Sequence, residues 1–162
     1  MFSTIGTIHL IASLVALATG TVVLIQTKAT LKHKQWGYLY VISMITVLVT
    51  SFFIYRLHGH FGILHLFAVL SSLTLLAGMI PIWRRKRKDY LALHFSFMYW
   101  SVIGLYCAFC AEVFTRLPML LQVGDESFAL FYILVGVSSG ATGWIGSYFF
   151  KKKKLQWAQQ FT

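Results

Sequence analysis

Acidic residues are scarce in this chain: its 162 residues include four Asp and Glu against 14 Lys and Arg, which gives a net charge of +10. Such an excess of positive charge would suit a nucleic-acid partner. The basic residues, however, stand in short clusters between long apolar runs. We therefore expect no nucleic-acid partner. Linkers and low-complexity segments are also missing, which excludes a chain of several separately folded domains.

Cysteine is equally scarce, since Cys107 and Cys110 are the only two. Two cysteines are too few for a disulfide framework, and a single C-x-x-C on an apolar helix is not a zinc ribbon. Their simplest role is that of small, polarizable core residues, with redox or metal chemistry as the alternative. A basic segment ahead of the first apolar run is lacking too, so we expect that run to be a retained helix and not a signal peptide.

Long apolar runs are what the chain does have, and 58% of its residues are apolar. Five runs approach or exceed the roughly 20 residues that cross the hydrocarbon core of a bilayer. In lipid such runs must be helices, because every backbone polar group needs an internal partner. The predicted fold class is an all-α integral membrane protein with five transmembrane helices. The predicted spans are Thr4–Gln26, Trp36–Leu57, Phe61–Trp83, Leu91–Phe114 and Phe128–Phe150.

Short connections make successive helices antiparallel neighbours, so the first four spans predict a four-helix bundle with the fifth helix packed alongside. The chain then divides into a histidine-bearing bundle at residues 1–114, an outer loop at 115–127, and a fifth helix with a basic tail at 128–162. On the fifth span, Gly136 and Gly140 form a G-x-x-x-G, a face that lets helices approach closely. This face serves either packing against the bundle or a homodimer contact.

The distribution of positive charge predicts the orientation of the chain. Twelve of the 14 basic residues lie at 28–34, 84–88 and 151–154, which are alternate connections between spans. Connections rich in Lys and Arg stay on the cytoplasmic side of a membrane. We therefore expect a multi-pass protein of the cell inner (plasma) membrane, with its amino terminus outside and its carboxyl terminus in the cytoplasm.

Four histidines lie in or beside these spans, where an ionisable group is costly and usually functional. With a rise of 1.5 Å per residue, His9 and His65 lie about 7 and 6 Å below the outer boundary. His33 and His94 lie near the inner boundary, on the second and fourth spans. Diagonal helices of a bundle can point two imidazoles at one iron. The predicted ligands of two b-type haems are therefore His9 with His65, and His33 with His94.

Zinc or copper is the alternative to haem. The fourth span runs outward, so its thiols and its carboxylate reach a depth near that of the outer histidine pair. Imidazole and carboxylate suit zinc, and thiolates suit zinc or cuprous copper. This site leaves the inner histidine pair without a role. Its candidate ligands are His58, His60, Cys107, Cys110 and Glu112, together with the outer pair His9 and His65.

Two further interpretations stay open. Glu112 either relays protons near a quinone pocket or pairs with Arg116, one helical turn further on. The histidines of the membrane spans either bind a cofactor or only satisfy helix packing, in which case the protein is a non-catalytic assembly subunit.

Several short motifs resemble the bacterial membrane proteins of domain of unknown function 2306. That family shows a first-helix His, a "His-Arg-x-x-Gly-Arg-x-Tyr" box and a later "His-Arg-x-x-Met" box. Here Lys34, Tyr38 and Phe95 stand in place of the arginines, and the resemblance covers Ile5 to Phe114. It implies no settled activity. The matching stretches are His9 to Gly20, residues 33–40 (HKQWGYLY), His65, and His94 to Met98.

The histidine layout is also similar, by architecture only, to the cytochrome b561 type of di-haem transmembrane protein. That resemblance implies a small b-type cytochrome that carries electrons across the membrane, to or from a quinone pool or another redox partner. The haem would supply the redox chemistry and the helices would tune its potential. We expect an electron-transfer protein or membrane oxidoreductase of this kind.

Overall fold

The computed structural model describes the backbone of residues 4–54, 62–120 and 128–160, and the side chains of residues 4–54, 62–114 and 129–157. Within these residues the chain forms five α-helices and no strand, which confirms the all-α prediction. The helices are α1 (Thr4–Ile25), α2 (Leu31–Ser51), α3 (Ile63–Arg84), α4 (Tyr90–Leu120) and α5 (Phe128–Gln160).

Four of the helices, α1, α3, α4 and α5, are long and apolar enough to cross a membrane. At most 33% of the residues in their most apolar stretches are buried inside the protein. Large apolar side chains such as Ile11 and Trp144 are 58% and 75% exposed. An outward apolar surface of this extent is unfavourable in water and suits contact with lipid. The protein is therefore a multi-pass membrane protein.

The helix α2 begins at Leu31, one turn or more ahead of the predicted start at Trp36, and ends at Ser51. The early start has a local cause. Thr30 is the N-cap residue, and its hydroxyl accepts a hydrogen bond from the backbone N–H of His33 at 3.1 Å,. The part of α2 after its polar first turns is shorter than the roughly 20 residues of a full span. A fifth membrane crossing by α2 stays a prediction.

The first four helices pack in a ring, in which α1 and α3 each contact α2 and α4. The diagonals of the ring are therefore α1 with α3 and α2 with α4. Tyr40 and Ser101, both fully buried, join α2 to α4 through the core by a hydrogen bond of 2.8 Å. Gly20 makes room for this contact, because a Cβ there would lie 3.0 Å from the Tyr40 ring.

The helix α5 packs against α4 alone among the described helices. The Tyr99 hydroxyl donates to the carbonyl of Gly146 at 2.7 Å. Both helices are longer than predicted: α4 continues to Leu120, into the segment expected as an outer loop, and α5 runs through its lysines to Gln160. The end of the bundle where α1, α3 and α5 finish and α2 and α4 begin carries the basic clusters, and we call it the basic end.

Candidate functional site

Two of the predicted iron ligands, His33 and His94, line one cavity at the basic end. The cavity has a volume of about 500 Å³, which falls in the range of about 300–1,000 Å³ typical of cofactor and small-molecule sites. We call it the basic-end cavity. His33 lies in the first turn of α2 and His94 near the start of α4, so they come from diagonal helices. The walls are mainly apolar and include Val23, Leu24, Val41, Met79, Phe95 and Met98.

His94 is oriented by the neighbouring helix. Its Nδ1 lies 2.8 Å from the carbonyl oxygen of Gly78 on α3. A carbonyl only accepts hydrogen bonds, so Nδ1 carries the hydrogen and Nε2 presents its lone pair. The two helices are close at this point, since a Cβ on Gly78 would lie 2.7 Å from the sulfur of Met98. A histidine whose second nitrogen is anchored on a backbone carbonyl is the usual form of a metal-ligating histidine.

His33 differs from His94 in that no described residue of a neighbouring helix anchors its Nδ1. Its Nδ1 is buried and has no hydrogen-bond partner among the described residues. Burial, together with the nearby charges of Lys28 and His94, lowers the pKa of His33 to about 4, so the ring is neutral at physiological pH. An unsatisfied buried nitrogen costs about 1–3 kcal/mol. A ligand in the cavity could remove that cost.

The charged groups that line the basic-end cavity are all basic, namely Lys28, Lys34 and Arg85. Lys28 is buried and donates to the carbonyls of Val23 and Leu24, which closes the carboxyl end of α1,. Burial and the charge of Lys153 lower the pKa of Lys28 to about 8. The cavity therefore favours an anion at its mouth.

The tail of α5 covers one side of this cavity. Trp157 is buried and lies among the lining residues. Its ring is 5.7 Å from that of Phe95 and 5.9 Å from that of Tyr99, and the ammonium of Lys28 lies 5.5 Å from its centre. The extension of α5 beyond its predicted end thus supplies a wall of the site.

A second cavity lies at the opposite end of the bundle, and we call it the Glu112 cavity. Its volume is about 100 Å³, well below the range typical of cofactor sites. Its polar lining side chains are His9, Ser13, Ser51, Ser71 and Glu112.

His9 is held by α2. Its Nδ1 lies 2.9 Å from the hydroxyl oxygen of Thr50. That hydroxyl donates its one hydrogen to the backbone carbonyl of Thr46, at 2.6 Å. It therefore accepts from His9, so Nδ1 of His9 carries the hydrogen and Nε2 presents a lone pair.

His65 does not line the cavity that His9 lines, so the structure does not bring the predicted outer pair into one cavity. Its Nδ1 accepts a hydrogen bond of 3.2 Å from the backbone N–H of Gly62 at the start of α3. The hydrogen of the neutral ring is then on Nε2, which leaves no lone pair there for iron. The ring also packs near Phe52, with centres 6.4 Å apart.

The candidate zinc or copper ligands are only partly described. His58 and His60 lie outside the described residues. Cys107 and Cys110 are free thiols, and Cys107 faces α5, where its sulfur lies 3.5 Å from the carbonyl oxygen of Ser139. Among the described residues, no three His, Cys, Asp or Glu side chains form a group that could hold a metal ion. The alternative metal site stays a prediction.

Sequence reasoning missed four residues of these sites. Lys28 and Trp157 close the basic-end cavity, Gly78 orients His94, and Thr50 orients His9. Lys28 had a signal, because a lysine just after a helix often binds its last carbonyls. No sequence pattern points to Gly78, because it binds His94 through its backbone carbonyl and every residue carries one.

The fold and cavities define a multi-pass, all-α membrane protein with histidines at both ends of a helical ring. The model of the family described as "Predicted membrane protein (DUF2306)" matches residues 6–151. The chain belongs to this family. The match continues well beyond Phe114, where the resemblance seen in the sequence ended, and includes most of α5. No curated protein and no solved structure matches the chain, so the likeness to cytochrome b561 gains no support from relatives.

Proposed function

We propose that the protein is a b-type haem protein of the membrane that carries electrons, with haem bound in the basic-end cavity between His33 and His94. One observation carries the proposal: two imidazoles from diagonal helices line the same cavity of about 500 Å³. Helical bundles commonly hold haem in this way, through histidine axial ligands. The anchoring of His94 on Gly78 and the unsatisfied Nδ1 of His33 support it.

The remaining lining suits the rest of a haem. The apolar walls suit the macrocycle, and the cations Lys28, Lys34 and Arg85 suit its two propionates. Lys34 stands where the family box has an arginine, so the positive charge is kept. Haem supplies one-electron chemistry when bound. The chain itself would fix the ring nitrogens of His33 and His94, neutralise the carboxylates and keep water out with Trp157.

The proposal is limited to one haem. At about 100 Å³ the Glu112 cavity does not accommodate a macrocycle, and His65 is not among its lining residues. Ligation of a second haem by His9 and His65 stays a prediction, which the ratio of haem to protein decides.

The membrane arrangement that goes with this function has α2 as a fifth span and the basic end in the cytoplasm of a cell with an inner (plasma) membrane. The concentration of Lys and Arg at that end supports it,. Electrons would pass between the haem and a quinone or another redox partner. A homodimer through Gly136 and Gly140 is part of this proposal, because a Cβ at either glycine would meet nothing within 4 Å.

The test is the visible spectrum of the detergent-purified protein before and after dithionite, from cells supplied with a haem precursor. We expect a Soret band, sharp α bands on reduction, and about one haem per chain. His94→Leu and His33→Leu should each abolish the bands. His65→Leu is the matched control, since it also replaces a buried membrane histidine but lies outside the basic-end cavity.

Three results would count against haem. A colourless wild-type protein with the normal helical circular dichroism spectrum would refute the proposal. Stoichiometric zinc or copper in that colourless protein would favour the alternative metal site. Bands that survive His94→Leu and disappear with His65→Leu would move the iron to the opposite end.

A further inference from the structure

The mouth of the basic-end cavity lies between α2 and α3. The exposed members of its described lining are Ala29, Lys34, Tyr38, Trp83 and Arg85. Apart from Ala29, which precedes α2, these residues belong to α2 or to the end of α3. None of the described lining residues on α1, α4 and α5 is exposed. We call this opening, between Lys34 and Tyr38 on one side and Trp83 and Arg85 on the other, the α2–α3 cleft.

The packing of the helices explains why the cavity is open on this side. The helix α1 packs closely on α2, and α3 packs closely on α4, whereas the two pairs meet less extensively. Where α1 meets α4, the tail of α5 covers the cavity with the buried Trp157. Where α2 meets α3, no described helix lies outside, because α5 packs against α4 alone. The α2–α3 cleft therefore faces the lipid.

The α2–α3 cleft has an apolar part and a cationic rim. Tyr38 and Trp83 are 52% and 65% exposed, and such aromatic residues are typical of the headgroup level of a bilayer. A Cβ on Gly37 would meet nothing within 4 Å, so the wall formed by α2 leaves space here. The ammonium of Lys34 lies 5.9 Å from the centre of the Tyr38 ring, one helical turn deeper in α2. The cleft thus matches a molecule with an anionic head and an apolar tail.

The two cations of the rim can bind an anion from outside the cavity. Neither Lys34 nor Arg85 forms an ion pair among the described residues, where Arg87 pairs with Asp89. Arg85 donates its Nε hydrogen to the carbonyl of Ile82 at 3.2 Å, which leaves its terminal N–H groups for other acceptors,. Because lysine and arginine each carry several donors, both can hold a phosphate outside the cavity while they face a carboxylate inside it.

We infer that the α2–α3 cleft binds an anionic phospholipid of the membrane. Lys34 and Arg85 hold its phosphate, and its acyl chains lie along Tyr38 and Trp83. The direction of Lys34 favours a lipid over an acidic protein, since its ammonium extends along α2 toward the apolar part of the cleft. Basic pockets between membrane helices bind anionic headgroups in this way. The inference does not use haem, and it goes beyond the proposed electron transfer.

The first experiment is native mass spectrometry of the full-length, detergent-purified protein, titrated with phosphatidylglycerol or with phosphatidylcholine of the same acyl chains. Phosphatidylglycerol should bind about tenfold or more tightly. The double substitution Lys34→Gln with Arg85→Gln should remove most of this preference. Lys86→Gln with Lys88→Gln is the matched control, since it removes the same charge from exposed positions at the same end, outside the cleft. An equal loss in both variants would overturn the site, because only a general attraction to the basic end would remain.

The second experiment locates the lipid by photo-crosslinking in phosphatidylcholine nanodiscs. They contain a trace of phosphatidylglycerol, or of phosphatidylcholine, with a diazirine group in its acyl chain. The phosphatidylglycerol probe should label Tyr38 and Trp83 more strongly, whereas both probes should label Trp144, which is 75% exposed on α5, to the same extent. Equal labelling of Tyr38 and Trp83 by the two probes would overturn the site. Both experiments detect lipid and not haem, so failure here leaves the haem proposal standing, and a colourless protein can still bind the lipid.

Discussion

Histidines line a cavity at each end of the bundle, but the two cavities differ in volume and in the charge of their lining. At the basic end the cavity is large and its charged lining groups are cationic, whereas the Glu112 cavity is small and has a carboxylate, Glu112, in its lining. The difference follows from the helix ends. At the basic end, Lys28 closes the carboxyl end of α1 and Arg85 follows that of α3, so positive charge collects around the first turns of α2 and α4,.

The partner of Nδ1 determines which ring nitrogen of each neutral histidine carries the hydrogen. In His94 that partner is a carbonyl and in His9 a hydroxyl that accepts, so both present a lone pair at Nε2. In His65 the partner is a backbone N–H, so Nε2 carries the hydrogen. By its depth in the membrane, His9 is similar to His65. By the hydrogen bond of its Nδ1, His9 is similar to His94.

The largest expected effect comes from Gly78→Ala, which tests whether the α3–α4 contact shapes the basic-end cavity. The new Cβ would lie 2.7 Å from the sulfur and 3.3 Å from the backbone nitrogen of Met98. The Met98 side chain must turn away and the backbone at Met98 must give by a few tenths of an ångström, which disturbs the contact of the Gly78 carbonyl with His94. Overpacking of this kind costs about 1–3 kcal/mol, so haem affinity should fall roughly tenfold or more. A haem titration followed by absorbance measures this.

Gly143→Ala is the control for that substitution, since its Cβ would meet nothing within 4 Å and Gly143 lies outside the proposed Gly136–Gly140 contact. Equal haem affinity in both variants would show that the cavity does not depend on the close approach of α3 and α4.

The sequence predicted at which end of the bundle each of the four membrane histidines lies, but not the hydrogen-bond partners that orient their rings. Depth along the helices placed His33 and His94 at the same level, and both line the basic-end cavity, since α2 and α4 are diagonal helices that start at the same end. Periodicity does not show that the N–H of Gly62 binds His65, because this contact arises where α3 begins. The early start of α2 did have a signal, since Thr30 is a favoured N-cap residue,.

The second prediction concerns the pH dependence of stability at the basic end. The pKa of Lys28 is about 8 in the folded protein, below its ordinary value of 10.5. Between these two pH values the folded protein binds fewer protons than the unfolded one, so stability should rise as the pH increases through this window. Melting temperatures of the detergent-solubilised protein, taken across the window, measure the rise.

Lys28→Met should flatten this rise, whereas Lys32→Met, at an exposed position on the same connection, should keep it. If the wild type and Lys28→Met gain stability in parallel, another group is responsible and the burial of Lys28 does not control the basic end.

The third prediction concerns the Glu112 cavity. Thr50→Val removes the acceptor for Nδ1 of His9 while keeping the shape of the side chain. The loss of one such hydrogen bond should lower the free energy of unfolding by about 0.5–1.5 kcal/mol. The haem spectrum should stay unchanged, because Thr50 does not line the basic-end cavity. Thr46→Val is the control, since the Thr46 hydroxyl makes an exposed bond to Ile42. Equal effects of the two substitutions would contradict the role of Thr50.

The smallest expected effect is a gain in stability from Ala29→Gly. Ala29 joins α1 to α2 beside the basic-end cavity and has a φ of 60°. A left-handed conformation costs a residue with a Cβ about 1–2 kcal/mol. Glycine avoids this cost but loses about 0.5–1 kcal/mol through its freer unfolded state.

We therefore expect Ala29→Gly to raise the free energy of unfolding by about 0.5–1 kcal/mol. Ala141→Gly, at an exposed position inside α5, is the control and should lower it by about the same amount,. If the same Ala→Gly change raises the free energy of unfolding at position 29 and lowers it in the control, the connection beside the basic-end cavity is held in a strained conformation. A loss of stability in both variants would show that the turn at Ala29 carries no strain.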